Sequence, residues 1–87
     1  MLDISATETF TRLYQKLPKR IQAKAASKTD TFRRNPFHPS LRTKKLEPHH
    51  EDVWSFWIDK NYRIKFRFLD TRQVHLLYVG DRKDIYR

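Results

Sequence analysis

The chain contains no cysteine, which excludes disulfides, thiolate metal sites and a cysteine nucleophile. It contains a single glycine, Gly80, too few for a glycine-rich phosphate loop, so the nucleotide-binding folds that depend on one are excluded too. No apolar run approaches the length of a membrane span, and Met1 to Phe10 lacks the basic stretch and apolar run of a secretory signal. A soluble, cytoplasmic protein is expected. Negative charge is also scarce, with ten Asp and Glu against nineteen Lys and Arg, a net +9 over 87 residues. An excess of that size on a small domain calls for a polyanionic partner. A membrane binder would gather its cations on one amphipathic helix. Here they continue into segments of strand character, which favours RNA or another polyanion.

What is present suffices for a core. Hydrophobic residues make up 38% and aromatics 14% of the sequence, so a folded chain is expected rather than a disordered one. The length leaves room for one domain, residues 1–87. Ser5 and Glu8 have the spacing of a capping box, and Phe10, Leu13, Tyr14 and Leu17 follow at helical intervals, predicting a first amphipathic helix. Pro18 ends it and suits the start of a second, from Lys19 to about Arg34, with Ile21, Ala25 and Phe32 inward and Lys19, Arg20, Lys24, Lys28, Arg33 and Arg34 outward. The segment Asn35-Pro36-Phe37-His38-Pro39-Ser40 breaks that helix, because a residue preceding proline is pushed out of the helical region.

Beyond the prolines the period changes to two. Strands are predicted over Arg42 to Glu47, Val53 to Ile58, Tyr62 to Leu69 and Gln73 to Val79, with turns at Asp59-Lys60-Asn61 and Asp70-Thr71-Arg72. The third strand is the clearest, with Tyr62, Ile64, Phe66 and Phe68 alternating against Arg63, Lys65 and Arg67, so that one face is core and the other cationic. Helices followed by adjacent strands imply an α+β fold: an N-terminal αα-hairpin on one face of a twisted, mostly antiparallel four-stranded sheet. The free face carries the charge.

The segments Leu17-Pro18, Asn35 to Leu41, Lys45-Leu46, Val53-Trp54-Ser55, Tyr62-Arg63-Ile64, Val79-Gly80 and Ile85-Tyr86-Arg87, in that order, resemble the RelE/ParE toxin superfamily over nearly the whole chain. The resemblance implies an αα-hairpin on an antiparallel sheet, with an occasional extra N-terminal strand for which only Leu2 to Ile4 is available. It also implies a toxin of a bacterial type II toxin–antitoxin pair, held silent by an acidic cognate antitoxin. The nuclease branch cuts mRNA in the ribosomal A site without metal: the ribose 2′-hydroxyl attacks the adjacent phosphate, the 5′-oxygen leaves, and a cyclic phosphate results. That chemistry needs a group to take the 2′ proton, cations for the phosphate oxygens and a proton for the leaving oxygen.

By this resemblance Arg63 stands at the catalytic arginine position, where a planar guanidinium can hold two phosphate oxygens; its plainer role is a solvated strand residue. Arg82 matches a position that contacts the scissile phosphate, or else closes a C-terminal salt bridge. Tyr86 matches a tyrosine that stacks on a base or exchanges a proton, or else packs on the sheet. Lys44 and Lys45 lie where the nucleases place a general base, and a lysine among cations gives up its proton more readily; a solvated pair is the alternative. Lys65 and Arg67 share the face of Arg63 as phosphate-positioning groups or solvated charge. His75 could reach the same surface as an imidazole suited to neutral pH.

One departure stands out: Trp54-Ser55-Phe56-Trp57-Ile58 holds no Lys or Arg where nuclease members alternate them. Either Trp57 offers a stacking platform for a base or the catalytic set is incomplete. His38, His49, His50 and His75 lack the spacing of a metal site, and neither metal nor cofactor is expected. The leading function is a ribosome-dependent mRNA endonuclease whose partners are mRNA, the ribosome and the antitoxin, the free protein being a monomer. The alternatives are a ParE-like DNA gyrase inhibitor and a degenerate, non-catalytic nucleic-acid binder. The last four residues, as a chain terminus, are expected to add little to stability.

Overall fold

The structure, a computed structural model, describes residues 1–46 and 52–85. Eight elements follow among the described residues: β1 (Asp3–Ala6), α1 (Glu8–Gln15), α2 (Lys19–Arg34), β2 (Lys44–Lys45), β3 (Trp54–Trp57), β4 (Tyr62–Phe68), β5 (Gln73–Asp81) and α3 (Arg82–Ile85), with a 3-10 turn at Pro39–Leu41 before β2. The strands form one sheet in the order β1-β5-β4-β3-β2. All neighbouring pairs are antiparallel except β1 with β5, which is parallel.

The fold is thus the expected α+β arrangement with a fifth strand. Pairing of Asp3 to Ala6 with Gln73 to Leu76 turns the N-terminus into an edge strand, longer than the Leu2 to Ile4 segment suggested. That pairing also moves the helix start. Ser5 lies within β1 and hydrogen-bonds through Oγ to His75 Nδ1 at 2.7 Å, so the cap falls to Thr7, whose hydroxyl accepts from the Phe10 amide at 2.9 Å. Glu8 still stands in the first turn, where a carboxylate favours the helix dipole.

Pro18 is the N-cap of α2, and its fixed φ of −54° suits a helix entry. It buries Ile21, Ala25 and Phe32. Phe32 stacks on Phe56 with ring centres 4.5 Å apart and meets Phe66 edge-on at 4.7 Å. Around this trio close Phe10, Leu41, Ile58, Ile64, Val74, Leu76 and Val79. Each such side chain contributes about 1.5–3 kcal/mol by leaving water.

The β3–β4 and β4–β5 turns use one device. Asp59 Oδ1 accepts from the amides of Asn61 and Tyr62, and Asp70 Oδ1 from those of Arg72 and Gln73, so an aspartate side chain reinforces the backbone bonds that close each turn. Among the described residues no helix is long and apolar enough to cross a membrane.

Candidate nucleic-acid interface

Register decides which side chains share the sheet face away from α1 and α2. Lys44 pairs with Ser55, Ser55 with Lys65, and Lys65 with Tyr78, which makes one row across four strands. The next row is Trp57, Arg63 and Gly80. On the other side lies Arg67, His75 and Ser5. The intervening residues Phe56, Ile64, Phe66, Val74, Leu76 and Val79 are core.

The odd spacing of Leu76 and Val79 in a two-residue period is absorbed by a bulge. Between Lys65 and Phe66 the partner on β5 steps from Tyr78 to Leu76, leaving Leu77 over, so both Val79 and Leu76 stay in the core. The bulge brings Tyr78 beside Lys65, whose Nζ lies 5.5 Å from the ring centre. Gly80 leaves room for that ring, since a Cβ there would meet Tyr78 Cε1 at 3.1 Å.

Lys44 therefore stands on the cationic face, while Lys45 pairs with Trp54 in the row that continues into buried Phe66 and Leu76. The two lysines point to opposite sides of the sheet. Strand β2 spans only these two residues, and the remainder of the predicted strand up to Glu47 lies partly outside the described residues. Arg67 is exposed and Lys65 half-buried.

Arg63 is withdrawn: it is 3% exposed. Its Nη1 donates to the carbonyls of Asp59 and Tyr62, and its guanidinium lies 3.8 Å from the Trp57 ring centre. Its Nε is buried with no hydrogen-bond partner, and so is the Ser55 hydroxyl one row away. A buried polar atom without a partner costs about 1–3 kcal/mol. Both residues stand in the rows of the cationic face, and an unmatched buried donor there calls for an explanation. Trp57 holds a second guanidinium as well, that of Arg42 at 4.4 Å. Its ring is committed to two arginines in this structure rather than presented bare to a base.

Arg82 is exposed and opens α3, its amide bonded to the Asn61 carbonyl at 2.8 Å. That bond places it at the same end of the sheet as Arg63. Ile85 is fully buried, although it is not part of the main core cluster, and α3 packs against β4 and β5. Tyr86, with His49 and His50, lies outside the described residues. His38 is engaged locally, its Nδ1 2.9 Å from Ser40 Oγ and accepting from the Ser40 amide.

Sequence reasoning missed Ser55, Tyr78 and Arg42. Ser55 was available as a small polar residue set among aromatics on a strand next to the charged one. Tyr78 was hidden by the bulge, which no simple two-residue alternation reveals.

No protein-family model matches the sequence, and no curated protein is significantly similar to it. Solved structures are. The RelBE2 toxin–antitoxin complex from Mycobacterium tuberculosis matches with a TM-score of 0.78 at 26% identity, over 93% of this chain and 98% of that one. YafQ from E. coli strain BL21(DE3) matches over 100% of both chains with a TM-score of 0.80 and 12% identity. The YoeB/ParE toxin from Agrobacterium tumefaciens matches with a TM-score of 0.76 and 17% identity, over 92% of this chain and 98% of that one. These toxins match over nearly the full length of both chains, and the fold of the chain is that of the RelE/ParE toxin superfamily.

Proposed function

We propose that the protein is the toxin of a bacterial type II toxin–antitoxin pair, acting as a ribosome-dependent mRNA endonuclease by metal-independent 2′-hydroxyl attack. The observation that carries this reading is the row Lys44, Ser55, Lys65 and Tyr78 beside buried Arg63, with Ser55 Oγ and Arg63 Nε unspent. Lys65 and Lys44 supply positive charge to the phosphate. Arg63 contributes its Nε and the field of a guanidinium in a low-dielectric setting, where charge counts for more than in water. Arg82 approaches from the end of β5, and Tyr86 completes the set as a stacking or proton-transferring group. Arg67 and His75 extend the surface along the backbone. Lys45, on the other side of the sheet, takes no part in the chemistry.

The partner that silences the toxin is an acidic antitoxin laid over this face, a pairing supported by the +9 charge and by the neighbours that are themselves toxin–antitoxin complexes. The second reading, gyrase inhibition, draws on one observation: Arg63 is buried and bonded to two backbone carbonyls, as a structural post would be. Primer extension on cellular mRNA after brief induction separates them. Cuts within codons of translated messages support the nuclease; intact messages with broken chromosomal DNA support the gyrase inhibitor.

A further inference from the structure

Positive charge gathers at a second place, away from the open sheet face. A groove of about 670 Å³ runs between α2 and the 3-10 turn, lined by Lys24, Ser27 and Lys28 from the helix, Ser40 and Arg42 from the turn, and Trp57 from the end of β3. Lys24 and Lys28 are four residues apart and so share one face of α2. Asp59 is the one carboxylate in the lining. Its Oδ2 lies 3.7 Å from Lys24 Nζ, while its Oδ1 is turned to the turn amides. Among the described residues neither Lys28 nor Arg42 has a carboxylate partner. Three cations around one concavity with a single, already engaged acid concentrate positive potential there.

The groove is held in shape. Arg42 has φ 49° and ψ 43°, the left-handed region that a residue with a side chain enters only under constraint. Its guanidinium rests on Trp57 at 4.4 Å, a contact that restrains the head group at the groove. The planar fork of a guanidinium matches two oxygens of one phosphate. Ser27 adds a hydroxyl to the lining, while the Ser40 hydroxyl is turned to His38 Nδ1. The volume lies within the range usual for small-ligand sites, roughly 300–1,000 Å³, and admits a phosphate with its sugar. An oxygen-rich phosphodiester with a full charge at each residue answers three cations and a hydroxyl better than the spaced carboxylates of a peptide.

We propose that this groove is a second anion site that takes a backbone phosphate of single-stranded RNA. Arg42 is the bidentate contact, Lys24 and Lys28 are point charges, and Ser27 is a hydroxyl donor. Trp57, shared with Arg63 at 3.8 Å, joins the groove to the open face, so an RNA strand seated in it continues toward Lys65. The inference rests on the RNA-binding part of the proposed function and requires no cleavage.

The test uses the full chain, Arg42→Gly and Lys28→Gln, titrated without ribosomes with a short fluorescently labelled single-stranded RNA over a range of salt. Glycine accepts the left-handed backbone freely, so Arg42→Gly keeps the fold, and a melting curve verifies it. The expected result is a severalfold loss of affinity in each variant, a salt slope smaller by about 1 per lost phosphate contact, and RNA-induced amide shifts at Lys24, Lys28 and Ser40 in the wild type. Unchanged affinity and slope in both variants overturn the proposal, as does a polyglutamate peptide that displaces the RNA from these amides. If the wild type shows the shifts yet cuts no message, the groove stands and the nuclease reading falls. If messages are cut while both variants bind RNA like the wild type, the groove falls and the nuclease reading stands.

Discussion

Two demands meet at Arg63. As a fold element it satisfies two backbone carbonyls and covers Trp57; as a catalytic candidate it must also reach a phosphate. Arg63→Ala therefore should perturb the fold, which a solvated strand residue would not. It removes buried charge-assisted hydrogen bonds worth about 1.5–3 kcal/mol each, and a drop of several degrees in melting temperature is expected together with loss of cleavage per folded molecule. Ser55→Ala should behave differently. Its hydroxyl is fully buried without a partner, so its removal should be neutral or slightly stabilising, within about 1 kcal/mol, while cleavage falls. A melting temperature lowered by several degrees in Ser55→Ala would show that the hydroxyl has a partner and is part of the fold. The cationic face was legible from the alternation of β4, yet the depth of Arg63 was not. Depth depends on what covers a strand end, and period-two reasoning reports direction only.

At the scale of elements, α2 and its inward residues Ile21, Ala25 and Phe32 were readable because apolar spacing and two flanking prolines agree. The start of α1 was misplaced because Ser5 and Thr7 are equally good caps locally, and a parallel pairing of β1 with β5, some seventy residues away, decides between them. The C-terminal segment reads differently as well. Ile85 is fully buried, so Ile85→Ala should cost about 2–5 kcal/mol, a clear fall in melting temperature for a domain of this size. A change within one degree would mean that α3 is not docked as described. The β3–β4 turn carries a pH signature. Burial pushes the Asp59 carboxyl up, but hydrogen bonds from the Asn61 and Tyr62 amides and the charge of Lys24 outweigh it, so its pKa lies below the usual value of 3.8. A depressed carboxyl stabilises the fold above its unfolded value and loses that contribution as pH falls through the folded one. Asp59→Asn should thus flatten the acid limb of the stability curve below about pH 4, with little change in that slope near neutrality; an unaltered acid limb would remove the turn from the account.

For the whole molecule, a +9 chain with positive charge on both the open sheet face and the α2 groove should bind an acidic antitoxin in a salt-dependent manner, tightest at low ionic strength. Affinity independent of salt would place the contact on apolar surface instead. The central claim, however, concerns RNA chemistry, and the end groups of the product report it most directly. Purified protein incubated with programmed ribosomes and a defined message should cut within the A-site codon, leaving a 2′,3′-cyclic phosphate on the upstream fragment and a 5′-hydroxyl on the downstream one. An uncut message, or fragments that carry a 3′-hydroxyl and a 5′-phosphate, would contradict it.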